Sequence, residues 1–210
     1  MNKKPPKIIA LAAFLLLITF NARAVPTLTF EGNQASGQGV AYDSGSGDLL
    51  VTATLTGSPG ISTLINTAGS SLSIFASYLS NSSDTTSTAG FFSGIAGDDI
   101  VVTDGDSNLL LKGELSSLSM EGINELNSGL VLGDFTATGG SLLDTFGVGN
   151  LIAFEFDLTT TFSATMFGSS FSGDISGRLE SVPEPGPLAL MAIGFVLIGL
   201  MSRRGGATFA

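Results

Sequence analysis

The side chains in this 210-residue chain best suited to chemistry carry oxygen, because the sequence contains no Cys, no His and no Trp. That composition excludes thiol proteases, Ser-His-Asp triads, imidazole metal sites and disulfide scaffolds. Asp98-Asp99 and then Asp104-Gly105-Asp106-Ser107-Asn108 concentrate carboxyl and amide oxygens between two strand-like runs. An alternating Asp-x-Asp-x-Asn loop can converge its side chains on one centre, and Ca²⁺ takes about six to eight such oxygens. Asp98, Asp99, Asp104, Asp106 and Asn108 are therefore the candidate calcium ligands, and no other cofactor is expected. The loop is not an EF-hand. Its sixth position is Leu109, where Gly should turn the chain, and its twelfth is Leu115, with Glu114 one place early.

Glu155 and Asp157 are two apart in an alternating run, so a strand places both on one face with carboxyls about 6 to 7 Å apart. That spacing falls within the range of a glycosidase acid and base, the motive for a carboxylate-dependent hydrolase. The face offers no aromatic platform, and without Trp there is no indole to stack a sugar. The expectation is a protein that is not an enzyme, with no catalytic residue assigned. Gly147-Val148-Gly149-Asn150-Leu151-Ile152 matches a dinucleotide loop only in its first two glycines and leads into a strand, so it is set aside. Thr52-Ala53-Thr54-Leu55-Thr56, Thr136-Ala137-Thr138 and residues 159–161 place threonines at strand spacing. Such arrays order water in some ice-binding proteins, but Thr is also an ordinary solvent-face strand residue. Asn81-Ser82-Ser83 fits the Asn-x-Ser glycan acceptor pattern and opens an apolar-free stretch, 81–88, that reads as a solvated loop.

The elements that must position these residues are strands. Ile152, Phe154, Phe156, Leu158, Thr160, Phe162, Ala164 and Met166 share one parity, with Glu155, Asp157 and threonines on the other. Phe171, Gly173, Ile175, Gly177 and Leu179 form a second alternating run, joined to the first by a hairpin loop at 167–170. Further strands are expected at Leu49, Val51, Ala53 and Leu55, across 109–118 and across 130–138. Residues 71–80 fit either a helix or a strand. With 28 glycines, 43% hydrophobic residues and no internal repeat, the expected fold class is all-β: one antiparallel β-sandwich or jelly-roll body.

The two ends have a different character. Residues 1–24 begin with Lys3, Lys4 and Lys7, continue through thirteen uncharged residues and close on Ala22-Arg23-Ala24. This is a signal-peptide layout, with signal peptidase cutting after Ala24; the apolar stretch reaches only about 20 Å of a roughly 30 Å hydrocarbon core. At the other end Pro183-Glu184-Pro185-Gly186-Pro187 precedes a single apolar helix over 188–201 and then Arg203-Arg204. Three prolines keep the first stretch extended and accessible. The arginine pair keeps the far side of the helix cytoplasmic and so places the preceding domain outside.

Pro183, Glu184, Pro185, the apolar helix and Arg203-Arg204 together resemble the PEP-CTERM sorting signal of Gram-negative bacteria. One departure is the extension over 205–210 beyond the arginine pair. The resemblance covers about the last 28 residues and implies that an exosortase in the inner membrane removes the tail. It also implies a destination at the cell surface or in the exopolysaccharide matrix. Three segments follow: a signal peptide at 1–24, an acidic exported domain at 25–182 and a sorting tail at 183–210. The domain has Lys112 and Arg178 as its only cations against 17 carboxylates, a net charge of −15, so nucleic acid and anionic lipid are poor partners. The functional expectation is a structural or adhesive surface protein; the alternative is a sugar- or calcium-binding module of the matrix.

Overall fold

Strict alternation along β9 (Leu151–Thr159) shows how the body is built. Ile152, Phe154, Phe156 and Leu158 are buried, whereas Glu155, Asp157 and Thr159 face solvent, as the parity of the sequence demands. The same alternation makes nine further strands: β1 (Thr27–Gly32), β2 (Gly39–Asp43), β3 (Asp48–Gly57), β4 (Ser71–Ser83), β5 (Ser87–Ser93), β6 (Ile100–Thr103), β7 (Leu109–Ile123), β8 (Gly129–Gly139) and β10 (Phe171–Ser181). A one-turn helix, α1 (Leu143–Phe146), lies between β8 and β9. The computed structural model describes residues 25–147 and 149–182. The expected signal peptide with Ala22 and Ala24, and the expected tail with Pro183, Glu184, Pro185, Arg203 and Arg204, lie outside the described residues.

All pairings are antiparallel, and they close. β10 pairs with β1 over its second half and with β2 over its first, and β3 pairs with the same two, so β1 and β2 fill one lane. β5 and β6 likewise fill one lane between β4 and β7. The remaining neighbours follow chain order, β3 to β4 and then β7 to β8 to β9 to β10. The result is an up-and-down barrel of eight lanes, all-β and antiparallel as expected. It is one continuously bonded sheet where a sandwich or jelly-roll would have two. Bulges at Thr29/Phe30, Tyr78/Ser80, Val102/Thr103 and two places in β7 sharpen the coiling that closure needs.

The interior is packed with side chains, among them Leu28, Phe30, Val51, Ile74, Ile100, Met120, Val131, Phe135 and Phe156, all at most 1% exposed. One barrel end carries the start of β1 and the end of β10, with connections 58–70, 104–108 and 140–150. The other end carries four hairpin turns, at 44–47, 84–86, 124–128 and 160–170.

Three local expectations change. The ambiguous stretch 71–80 is strand, with Leu72, Ile74 and Ala76 inward. The solvated loop expected over 81–88 is mostly ladder, because Asp84 accepts from the Thr86 and Ser87 N–H groups and tightens the turn to three residues. The hairpin loop expected at 167–170 begins at 160, because Phe162 and Phe167 leave strand parity to cap the hairpin end of the core. A Cβ on Gly122 or Gly129 would lie 2.3 Å from the Phe162 ring, and one on Gly90 would lie 2.2 Å from the Phe167 ring. Only glycine admits rings this close.

Candidate functional site

The expected calcium ligands fall into two groups separated by the length of β6. Asp98 and Asp99 precede that strand, whereas Asp104, Asp106 and Asn108 follow it; four residues at about 3.3 Å each hold the groups apart. Each side chain is engaged locally. Asp99, 6% exposed, accepts the N–H of Ile95 at 2.6 Å and of Leu115 at 3.0 Å, which ties the β5–β6 connection to β7. Asp98 accepts from Lys112 Nζ at 2.6 Å and from Thr138 Oγ1 at 2.8 Å, and these two bonds hold its carboxyl below the usual carboxylate range. Asp104 accepts from the Asn108 amide at 2.9 Å and from the Asn108 and Asp106 N–H groups at 2.8 and 2.9 Å. The Asn108 amide leads in lowering the Asp104 pKa. Asp106 accepts from Asn66 Nδ2 at 3.3 Å. Among the described residues no three metal-ligating side chains form a cluster that could hold an ion. A cation at Asp104 would first have to displace the Asn108 amide.

Glu155 and Asp157 project from β9 onto the outer face of the barrel, where register across the strands sets their neighbours. Glu155 stands beside Arg178 on β10 and Leu132 on β8. Arg178 reaches Glu155 at 3.6 Å and Glu180 at 3.2 Å, an exposed triad that solvent screens heavily. Asp157 belongs to the next row, Glu31–Ser176–Asp157–Leu130–Glu121–Ala89–Ser82, which crosses seven lanes. Glu121 is two strands away from Asp157, about 10 Å at the usual strand spacing. Between them, beside the β4–β5 hairpin, lies a shallow groove of about 520 Å³ lined by Ser82, Ser87, Ala89, Glu121, Ile123, Leu130 and Asp157. Small side chains at Ser82 and Ala89 lower its floor. The groove presents carboxylates, hydroxyls and two aliphatic side chains, a set of acceptors and donors chemically suited to a polyol or an amine.

The threonine sets do not join into one array. Thr52, Thr54 and Thr56 lie on β3, Thr136 and Thr138 on β8 and Thr159 on β9, and β3 shares no edge with the other two. Thr54 donates to Gln38 Oε1 at 2.9 Å, Thr160 to Ser172 O at 2.9 Å and Thr161 to Asn127 Oδ1 at 2.8 Å. Asn81 sits within β4 and its side-chain oxygen accepts from the Tyr78 hydroxyl. Gly147 ends α1 at φ 93° and leads towards β9; its neighbour Val148 lies outside the described residues.

Sequence reasoning missed one cluster. Tyr42, Tyr78, Phe92, Phe167 and Phe171 pack ring against ring at the hairpin end, with centroids 5.2 to 6.0 Å apart. It holds both tyrosines of the chain, and Tyr42 donates its hydroxyl to Phe167 O at 3.4 Å. The one available signal was that Tyr42 and Phe171 each open or close an alternating run. Comparison with protein-family models, with curated proteins and with solved structures gave no match to this chain.

Proposed function

We propose that this is an exported, non-enzymatic surface or matrix protein. Residues 1–24 direct secretion, residues 183–210 hold the chain briefly at the inner membrane as a PEP-CTERM tail, and an exosortase cuts near Pro183 to Pro185. One observation carries the reading. The compact unit spans Val25–Val182, so both expected cuts fall directly outside it. Pairing of β1 with β10 further brings both trimmed ends to one end of the barrel, and Ser181 N–H approaches Pro26 O at 3.5 Å. Trimming at both places leaves all ten described strands in the product, which keeps the closed barrel.

Intact-mass spectrometry of membrane, surface and medium fractions from the native host tests this. The expected species starts at Val25, ends near Pro183 to Pro185 and is found outside the inner membrane. Full-length protein in the cytoplasm would overturn the reading, and a species still ending at Ala210 in the membrane would remove its exosortase step.

A second reading, a sugar-binding module of the matrix, is favoured by the groove between Glu121 and Asp157. Retention on the host's own exopolysaccharide, weakened by Glu121→Gln or Asp157→Asn, would support it; equal retention of both variants would dismiss the groove.

A further inference from the structure

Both cations of the body are already engaged, Lys112 with Asp98 and Arg178 with Glu155 and Glu180. The groove beside the β4–β5 hairpin is lined by Glu121 and Asp157, and among the described residues neither meets a positive charge. Asp84, at its rim, is folded back onto Thr86 and Ser87. Glu121 accepts from the Ser119 hydroxyl at 3.3 Å, a bond that leaves its charge uncompensated. Register fixes what lies between the two carboxylates. Asp157 pairs with Leu130 and Leu130 with Glu121, so one half-buried aliphatic side chain separates two exposed acids across about 10 Å. Ala89 continues the apolar floor beyond Glu121, and Ile123, 55% exposed, shares that face of β7.

Acid, methylene surface and acid in a row discriminate among ligands. A single divalent ion takes its oxygens at about 2.3 to 2.6 Å, so two carboxylates with Leu130 between them do not share one. A neutral polyol leaves both charges uncompensated and finds no hydrogen-bond partner on the side chains of Leu130 and Ala89. A chain with an ammonium group at each end and methylenes between them meets all three side chains at once. The body's net charge of −15 also draws such a cation in from a distance. We propose that the groove binds a linear polyamine, with one terminal ammonium on Glu121, the other on Asp157 and the intervening methylenes over Leu130. Spermidine, when extended, reaches across about 10 Å, and putrescine, with roughly half as many bonds, does not. The inference rests on the groove being a ligand site, the premise of the second reading above, and assigns that site a cationic ligand. It does not depend on how the chain is exported or trimmed.

Calorimetric titration at low salt, on protein purified from its host, tests this with spermidine, a terminal diaminooctane, putrescine and a neutral malto-oligosaccharide. Spermidine and diaminooctane should each saturate a single site. Putrescine carries the same charge as diaminooctane but reaches one carboxylate at a time, so it should bind about two- to fivefold more weakly, the worth of one exposed ion pair. Glu121→Gln and Asp157→Asn change exposed side chains and leave the core untouched. Each should weaken diaminooctane by about the same two- to fivefold and erase its advantage over putrescine. Glu114→Gln removes an equal charge from an exposed position on β7 outside the groove and should change nothing. Equal weakening by Glu114→Gln would show amines condensing on net charge and overturns the proposal, as does putrescine binding as tightly as diaminooctane. Oligosaccharide binding that Glu121→Gln weakens, with no amine binding, keeps the groove as a site and overturns its amine. No heat from any of the four ligands overturns both.

Discussion

Phe162 is the most instructive residue to perturb, because its ring is completely buried over two glycines contributed by different strands. Phe162→Ala removes a core aromatic and should cost about 3 to 5 kcal/mol. At about 2 to 4 °C per kcal/mol for a body of this size, the melting temperature should fall by roughly 6 to 20 °C. Gly122→Ala attacks the same contact from the other side. Its Cβ would stand 2.3 to 2.5 Å from three ring carbons, so the whole ring must move, and overpacking of this kind costs about 1 to 3 kcal/mol. In the double variant the new methyl enters the space the ring has left, and the two costs should not add. Urea unfolding of the parent, both single variants and the double variant gives the coupling, expected at about 1 to 3 kcal/mol in favour of the double variant. Additivity within about 0.5 kcal/mol would refute the claim that the 160–170 loop caps the core by laying this ring on glycine.

Three further outcomes are expected. Asp99→Asn keeps the shape of a buried carboxylate but turns an amide towards one of two N–H donors, so urea unfolding should show a loss of about 1 to 3 kcal/mol. The Asp84 carboxyl is brought down to about 2 by the Thr86 N–H, the Thr86 hydroxyl and the Ser87 N–H. A depressed folded pKa stabilises above the unfolded value and is lost as pH falls through the folded one, so Asp84→Asn should flatten part of the acid loss between about pH 4 and pH 2 in a urea-midpoint titration. Millimolar Ca²⁺ should leave the melting temperature unchanged, because Asp104 is already occupied by the Asn108 amide and Asp98 by Lys112; a clear upward shift would refute that reading of both loops.

The parity of Ile152, Phe154, Phe156 and Leu158 made β9 legible, and Leu49, Val51, Ala53 and Leu55 did the same for β3. Closure was not legible, because it depends on β1 meeting β10 and on two split lanes, and these contacts leave no periodicity within any one segment. The stretch 81–88 misled for a physical reason: a strand at a protruding edge has no apolar face to bury, so its polarity reads as loop. The candidate calcium ligands were legible as a composition and not as a site. Whether Asp104 turns outward to a cation or inward to Asn108 is decided by the local turn geometry, which spacing alone does not encode. The purpose of Gly122 and Gly129 appears only once Phe162, more than thirty positions further on, is placed over them.

The return of β10 to the side of β1 also has a mechanical meaning. Force applied between Val25 and Val182 would peel β1 from β10 one bonded pair at a time, the geometry in which a sheet is weakest. Force applied between Val182 and the β4–β5 hairpin at the opposite end runs along the strands, so many ladder bonds must shear together before the barrel yields. A protein held at one terminus and gripped at its far hairpin is thus loaded along its strong axis, and the same protein pulled by its two termini unzips.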